Sequence, residues 1–341
     1  MRNNIATGSK EAEPVALDGV KHRVFYLDAL KALAIILVII GHLPAYCYFG
    51  WVDNPSLLGP IVSIFHMPLF MMISGYFTNV DKLILARKER ILIPFLAFGL
   101  LYVLFTGSSI GSFLSSEPKA GYWYLYVLAI YYLFIFLIRK TKINLYLGLF
   151  AAQLLFLTLH FYFHRTITGT TLSTDHMWQL WPAFCVGILL HRGWGNKLQV
   201  HPILTLGICL TGTISIEGLL YHTGWNGLKE TLLTVLVALC ISIALFLVFF
   251  LTERACTGKE FFLKPAIRWT GTVIGQNTLQ IYVLHYFLIT YLDLHSLGAV
   301  IRVYPLLEFL ISPVLAIIIA FACVGISWFL HRLHLGFLFG R

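Results

Sequence analysis

Three ionisable side chains, Asp28, Lys31 and His42, stand in one apolar stretch near the start of the chain. In a membrane span each costs about 3 kcal/mol or more, so each is a functional candidate by default. Lys31 and His42 are eleven residues apart. At about 100° per residue they fall within about 20° of one another on a helix, about 16 Å apart along its axis. Asp28 lies one turn before Lys31 and can pair with it. One helical stripe thus runs from a charged pair to an imidazole deeper in the apolar stretch. An imidazole exchanges a proton near neutral pH, so the chemistry on offer is general-base catalysis or proton relay. The plainer alternative is a lysine that snorkels to the interface and a histidine hydrogen-bonded to a neighbouring helix.

A second group sits in I64-F65-H66-M67-P68-L69-F70, with S74-G75-Y76-F77 following. Pro68 frees a backbone carbonyl one turn earlier, and a kink there can open a polar cavity beside His66. A Pro-kinked packing helix with a satisfied histidine explains the same residues. Ser74-Gly75 lets a neighbouring helix come close. A later stretch carries Gln276, Asn277, Gln280 and His285; on a continuous helix Gln276 and Gln280 share a face and can bond across the bundle. Glu217, Glu308, Asp175-His176 and the pair Asp293 and His295 are further candidates, with Asp175-His176 read mainly as loop polarity. The run G121-Y122-W123-Y124-L125-Y126 reads first as an interfacial aromatic belt, although Trp123 and Tyr124 could also stack on a sugar ring. No metal site is expected: the thirteen His are read without a helical HxxxH or HExxH pair. The six Cys form no CxxC pair and read as buried thiols.

The elements that must position these residues are membrane helices. Of the 341 residues, 59% are apolar and 11% charged, a composition that a water-soluble fold does not carry. Ten spans are expected, at 26–46, 57–77, 91–107, 122–138, 143–163, 177–191, 200–221, 231–251, 272–292 and 306–330. With both termini in the cytoplasm and strict alternation, the Lys and Arg residues collect on the inner side. Only Lys119, Arg165, Lys229 and Arg302 fall outside, and Lys31 lies within the first span. The net charge of +9 is therefore spread over inner loops and tails, which excludes a nucleic-acid surface. The expected fold is an all-α polytopic bundle of about ten transmembrane helices. It divides into an N-terminal tail (1–23), a transmembrane domain (24–334) and a C-terminal tail (335–341). The polar 1–23 stretch lacks an apolar core with a cleavage site, so the first span reads as retained.

These motifs resemble the membrane-bound acyltransferase 3 family. The first span, F25-Y26-L27-D28-A29-L30-K31 through G41-H42, matches that family's pattern of a basic residue, ten residues, then His. F65-H66-M67-P68-L69-F70 with S74-G75-Y76-F77 is similar to its second span. R87-K88-E89-R90-I91-L92-I93-P94 is similar to its basic patch leading into a Pro-containing helix. Y122-W123-Y124-L125, G275-Q276-N277-T278-L279 and I281-Y282-V283-L284-H285 are similar to later elements, so the resemblance covers about 24–292. One departure is Lys31, where the family usually has Arg; the charge persists but bidentate recognition does not. A fused hydrolase-like domain, which some family members carry at the C-terminus, is not expected here.

The resemblance implies a multi-pass O-acyltransferase of the inner (plasma) membrane. Its donor would be cytoplasmic acyl-CoA, often acetyl-CoA, and its acceptor a hydroxyl of a cell-surface carbohydrate or lipid-linked glycan. No permanently bound cofactor is expected. On this reading Asp28, Lys31, Arg87, Lys88 and Arg90 hold the donor, with the cations meeting the CoA phosphates. His42 takes the proton from the acceptor hydroxyl, directly or through an acyl-imidazole, and His66 or a ninth-span polar group orients it or stabilises the oxyanion. Trp123, Tyr124, Gln276, Asn277 and His285 line the acceptor cavity. The rival from another class is a secondary transporter relaying protons through the buried His and Asp, although the two halves of the chain show no repeat. A structural subunit of a polysaccharide export complex is a second rival.

Overall fold

The computed structural model describes residues 25–198, 201–223, 228–256 and 265–340. The N-terminal tail 1–23 and the side chain of Glu217 lie outside the described residues. Among the described residues there is no strand, and the chain is an all-α polytopic bundle. The principal helices are α1 (Phe25–Leu43), α2 (Leu58–Tyr76), α3 (Leu92–Thr106), α4 (Trp123–Thr141), α5 (Leu145–Phe163) and α6 (Thr174–Leu189). They continue with α7 (Pro202–Thr223), α8 (Leu228–Cys256), α9 (Pro265–Gln276), α10 (Thr278–Ile289) and α11 (Glu308–Arg332). These apolar segments coincide with the ten expected spans, with one division.

That division corrects the ninth span. The stretch expected as one helix over 272–292 is two, α9 and α10, broken at Asn277. Asn277 has φ −110° and ψ 22°, outside the helical region, and its side-chain amide donates to the Val273 carbonyl at 2.8 Å. A short polar side chain thereby takes the carbonyl that a continuing helix would have bonded. Gln276 ends α9 while Gln280 is buried inside α10, so the two are not neighbours on one helical face as expected.

Seven helical stretches among the described residues are long and apolar enough to cross a membrane: Phe25–Tyr48, Leu58–Tyr76, Leu85–Thr106, Trp123–Thr141, Leu145–Phe163, Glu230–Arg254 and Pro305–Arg332. Pro202–Ile216 and Thr278–Ile289 are shorter apolar helices, and α6 has only 16 residues, with Pro182 inside it. Helices packed inside a bundle need not span by themselves. α6 is such a helix, with Trp178, Trp181 and Phe184 buried on its inner faces.

Packing centres on α1, α2 and α6. A Cβ on Gly75 of α2 would lie 2.0 Å from the Phe184 carbonyl oxygen, and one on Gly187 of α6 would lie 1.9 Å from that of Met72. Each helix thus presents a glycine to the other's backbone, the close approach that Ser74-Gly75 led us to expect. The N-terminus of α2 is held from α11. The buried Glu308 carboxylate accepts the backbone N–H groups of Leu57 at 2.9 Å and Leu58 at 3.2 Å, and also the Ser56 hydroxyl. A carboxylate there satisfies otherwise orphaned donors and faces the positive end of the helix dipole. The expected C-terminal tail is packed, not free. Leu335–Phe339 form a 3-10 turn whose Phe339 is buried against Phe98, ring centroids 5.1 Å apart.

Candidate active site

α1 ends one residue after His42 and runs into a wide π turn, Pro44–Tyr48. Such turns interrupt the regular backbone ladder and are frequent at functional sites. His42 is half-buried here and meets α10: its Nε2 lies 2.9 Å from the Tyr286 hydroxyl. The His285 ring stacks on it at 5.6 Å between centroids. Tyr286 reaches this position because the turn before α4 leaves room. Gly121 has φ +91°, a conformation that suits glycine, and a Cβ there would lie 2.3 Å from the Tyr286 ring. The same turn is tied to α10 by two further bonds: Tyr122 donates its hydroxyl to the Val283 carbonyl at 2.9 Å, and Tyr282 donates to the Gly121 carbonyl at 2.8 Å.

His42, His66, Trp123, Tyr282 and Tyr286 line one cavity of about 310 Å³, together with Val38, Ser63, Ile64, Met67, Pro68, His176, Gln179, Leu180, Thr231, Thr234, Val235 and Ala238. The expected polar cavity beside His66 is present. Pro68 lacks an N–H and so releases the Ile64 carbonyl, and both residues stand on the wall. The cavity lies at the C-terminal end of α1 and the N-terminal ends of α4, α6 and α8. These are the ends expected on the outer side from the distribution of basic residues in the sequence.

The histidine tautomers follow from their partners. His66 Nδ1 is 2.8 Å from the Val62 carbonyl, which can only accept, so in the neutral ring Nδ1 carries the proton and Nε2 presents a lone pair. His285 is fixed in the same sense by the carbonyls of Tyr282 at 2.8 Å and Ile281 at 3.1 Å. Its Nε2 is buried with no hydrogen-bond partner among the described residues. A neutral His66 is therefore an acceptor towards the cavity and not an oxyanion donor. Beside His42 the Tyr286 hydroxyl also faces the cavity, and it donates to or accepts from His42 Nε2 according to the tautomer of that ring.

The remaining expected site residues divide. Lys31 pairs with Asp28, Nζ to Oδ1 3.2 Å, and sits over the Phe77 ring at 4.0 Å from its centroid. Lys88 lies over the Tyr132 ring at 4.8 Å, while Arg87 and Arg90 are exposed. None of these five belongs to the cavity wall, and Asp28 and Lys31 stand at the opposite end of α1 from His42. Trp123 lines the cavity, but the wall is built without Tyr124, Gln276, Asn277 and His285. Tyr124 is buried and its hydroxyl bonds that of Ser74 at 2.6 Å. With Tyr122 fully buried as well, the aromatic run is interior packing, which corrects its reading as an interfacial belt.

Sequence reasoning missed Tyr286 and took His176, together with Asp175, mainly for loop polarity. His176 stacks on Trp123 at 3.9 Å with 20° between planes, and its Nδ1 is 2.8 Å from Glu117 Oε1. The rim beside it is knit by Lys119, which donates to the carbonyls of Leu114, Ser116 and Thr170. Burial lowers the Lys119 pKa to about 8, with Glu117 acting the other way. Asp175 is not mere loop polarity either: its Oδ1 meets Nδ1 of both His160 and His164. These two histidines are four residues apart, so the expectation of no HxxxH pair was mistaken; that spacing was the available signal. The described cysteines Cys47, Cys185, Cys209, Cys240 and Cys323 are free thiols.

Comparison with known proteins bears on what this cavity serves. A family model described as an acyltransferase domain, of the acyltransferase 3 type, matches residues 24–332. The chain belongs to this acyltransferase family. Within it, nodulation protein NolL of Mesorhizobium japonicum is 26% identical over 333 residues, covering 88% of this chain and 85% of the relative. Nodulation protein NolL of Sinorhizobium fredii is 32% identical over 127 residues, 32% of this chain and 34% of the relative. No solved structure gives a significant match. The protein is thus a multi-pass membrane acyltransferase whose family match spans the elements that build the cavity.

Proposed function

We propose that this acyltransferase moves an acyl group, acetyl in the simplest case, from acyl-CoA to a hydroxyl of a cell-surface or envelope carbohydrate. His42 acts as the base. The observation that carries the reading is the meeting of His42, His66 and the Tyr286 hydroxyl in one cavity, with Tyr286 2.9 Å from His42 Nε2. His42 removes the acceptor's hydroxyl proton as the oxygen attacks the thioester carbonyl. Tyr286 donates to the oxyanion of the tetrahedral intermediate. Its collapse breaks the C–S bond, and the departing thiolate takes the proton from His42. His66, through its Nε2 lone pair, accepts a hydrogen bond from a second hydroxyl of the acceptor and so sets which one faces His42.

Donor and acceptor arrive from opposite sides on this reading. Asp28 fixes Lys31, and Lys31 with Arg87, Lys88 and Arg90 meets the CoA phosphates on the cytoplasmic face of the inner membrane. The acceptor enters at the other end, where Trp123 offers an aromatic face of the kind that packs on sugar rings. Mass spectrometry of surface polysaccharide from cells with and without the protein tests the proposal. Loss of one acyl mass from the glycan in its absence is expected. Identical glycan masses would refute carbohydrate acylation, and a transporter that moves protons and no acyl label would leave that result.

A further inference from the structure

Beyond the cavity, the C-terminal end of α5 and the N-terminal end of α6 bring together three side chains that acyl transfer does not use. His160 Nδ1 lies 2.6 Å from Asp175 Oδ1, His164 Nδ1 lies 3.2 Å from the same oxygen, and one ligand atom from each residue falls within 4.8 Å of the others. His160 and His164 stand one helical turn apart, with ring centroids 4.8 Å from each other. His160 is additionally packed against Trp178 at 5.3 Å. We propose that His160, His164 and Asp175 form a binding site for a divalent transition-metal ion of the zinc class.

The donor set and its dimensions argue for that class. Two imidazoles and one carboxylate suit zinc and its neighbours, whereas calcium and magnesium prefer oxygen ligands alone. With metal–ligand bonds of about 2.0–2.1 Å, two ligand atoms of a tetrahedral site stand about 3.3 Å apart. The His164–Asp175 separation of 3.2 Å already meets this. The 2.6 Å contact must open by a fraction of an ångström, which a rotation of the partly exposed Asp175 carboxylate provides. Without an ion, one carboxylate oxygen accepts from both Nδ1–H groups; with it, each Nδ1 offers a lone pair and the ring proton moves to Nε2. Two neutral imidazoles and one carboxylate leave a net charge of +1 on the centre, with at least one position open to water.

The location gives the ion a structural task. Asp175 opens α6 one residue before His176, and His176 stands on the cavity wall stacked on Trp123. An ion held between α5 and α6 pins the start of α6, and with it the rim through which an acceptor would pass. The short helix Ile167–Leu172 lies in the connection that the ion would close, and it is anchored on its other side by Lys119.

Zinc titration of the full-length protein in detergent, stripped with chelator and followed by calorimetry, tests this. One Zn²⁺ per chain is expected. His164→Ala and Asp175→Asn should each weaken binding by 10-fold or more. The exposed His201, just before α7, should bind nothing, so His201→Ala should leave the titration unchanged. Excess Mg²⁺ or Ca²⁺ should not compete. Loading the unmodified protein with Co²⁺ is an independent readout that needs no variant: a tetrahedral site of this kind gives visible d–d absorption that Zn²⁺ displaces. No stoichiometric Zn²⁺ binding, binding undiminished in both site variants, or a cobalt spectrum indistinguishable from the free ion would each overturn the proposal. In those cases the three residues are a hydrogen-bonded cluster only.

Discussion

Tyr286 is the hydrogen-bond partner of His42. A tyrosine in an apolar stretch ordinarily reads as packing, yet this one places its hydroxyl on the imidazole nitrogen and its ring over the missing Cβ of Gly121. Tyr286→Phe keeps the ring and deletes the hydroxyl. Removing one oxyanion donor typically costs 10²–10³ in turnover, so kcat should fall about 100-fold while the KM for acyl-CoA stays within about 3-fold. Steady-state transfer of labelled acyl groups measures both. An equal change in KM alone would assign Tyr286 to substrate binding instead. His66 carries a different expectation from His42 because the Val62 carbonyl fixes its proton on Nδ1.

At the scale of elements, the α2–α6 contact sets the cavity's shape. His66 and Pro68 come from α2, and His176, Gln179 and Leu180 from α6. Gly75→Leu would drive a side chain into the Phe184 backbone and separate the two helices. Overpacking of this kind costs about 1–3 kcal/mol or more. The expected result is a clear fall in thermal unfolding temperature in detergent together with lost activity. Gly325→Ala in α11, where a Cβ meets nothing within 4 Å, should leave both unchanged. Half of this contact was legible in Ser74-Gly75, since small residues announce a close approach. The other half, Gly187, was not, because which helix arrives is decided by the three-dimensional arrangement. The break at Asn277 was hidden for a related reason: 272–292 is apolar enough to read as one helix. The amide that ends α9 acts through a local bond to Val273 that hydropathy does not register.

Across the whole molecule, composition alone showed an all-α membrane bundle, and the stripe of Asp28, Lys31 and His42 pointed to its working axis. The pairing of Lys31 with Asp28 follows directly from their spacing. The cavity's membership does not, because Trp123, His176, Thr231 and Thr234 come from helix ends far apart in the chain. The 16-residue α6 and the 12-residue α10 are shorter than the ~20 residues a span needs, and both are largely buried inside the bundle. What emerges along α1 is the Asp28–Lys31 pair at one end and a histidine-lined cavity at the other. The central claim is that acyl groups cross from one end to the other through chemistry at His42. The most direct measurement is transfer of label from acyl-labelled CoA to added glycan by the purified protein, comparing the wild type with His42→Ala. The account predicts transfer by the wild type, and a loss of at least 100-fold in a His42→Ala protein that still elutes as a single folded species. Transfer by that variant at the wild-type rate would contradict it.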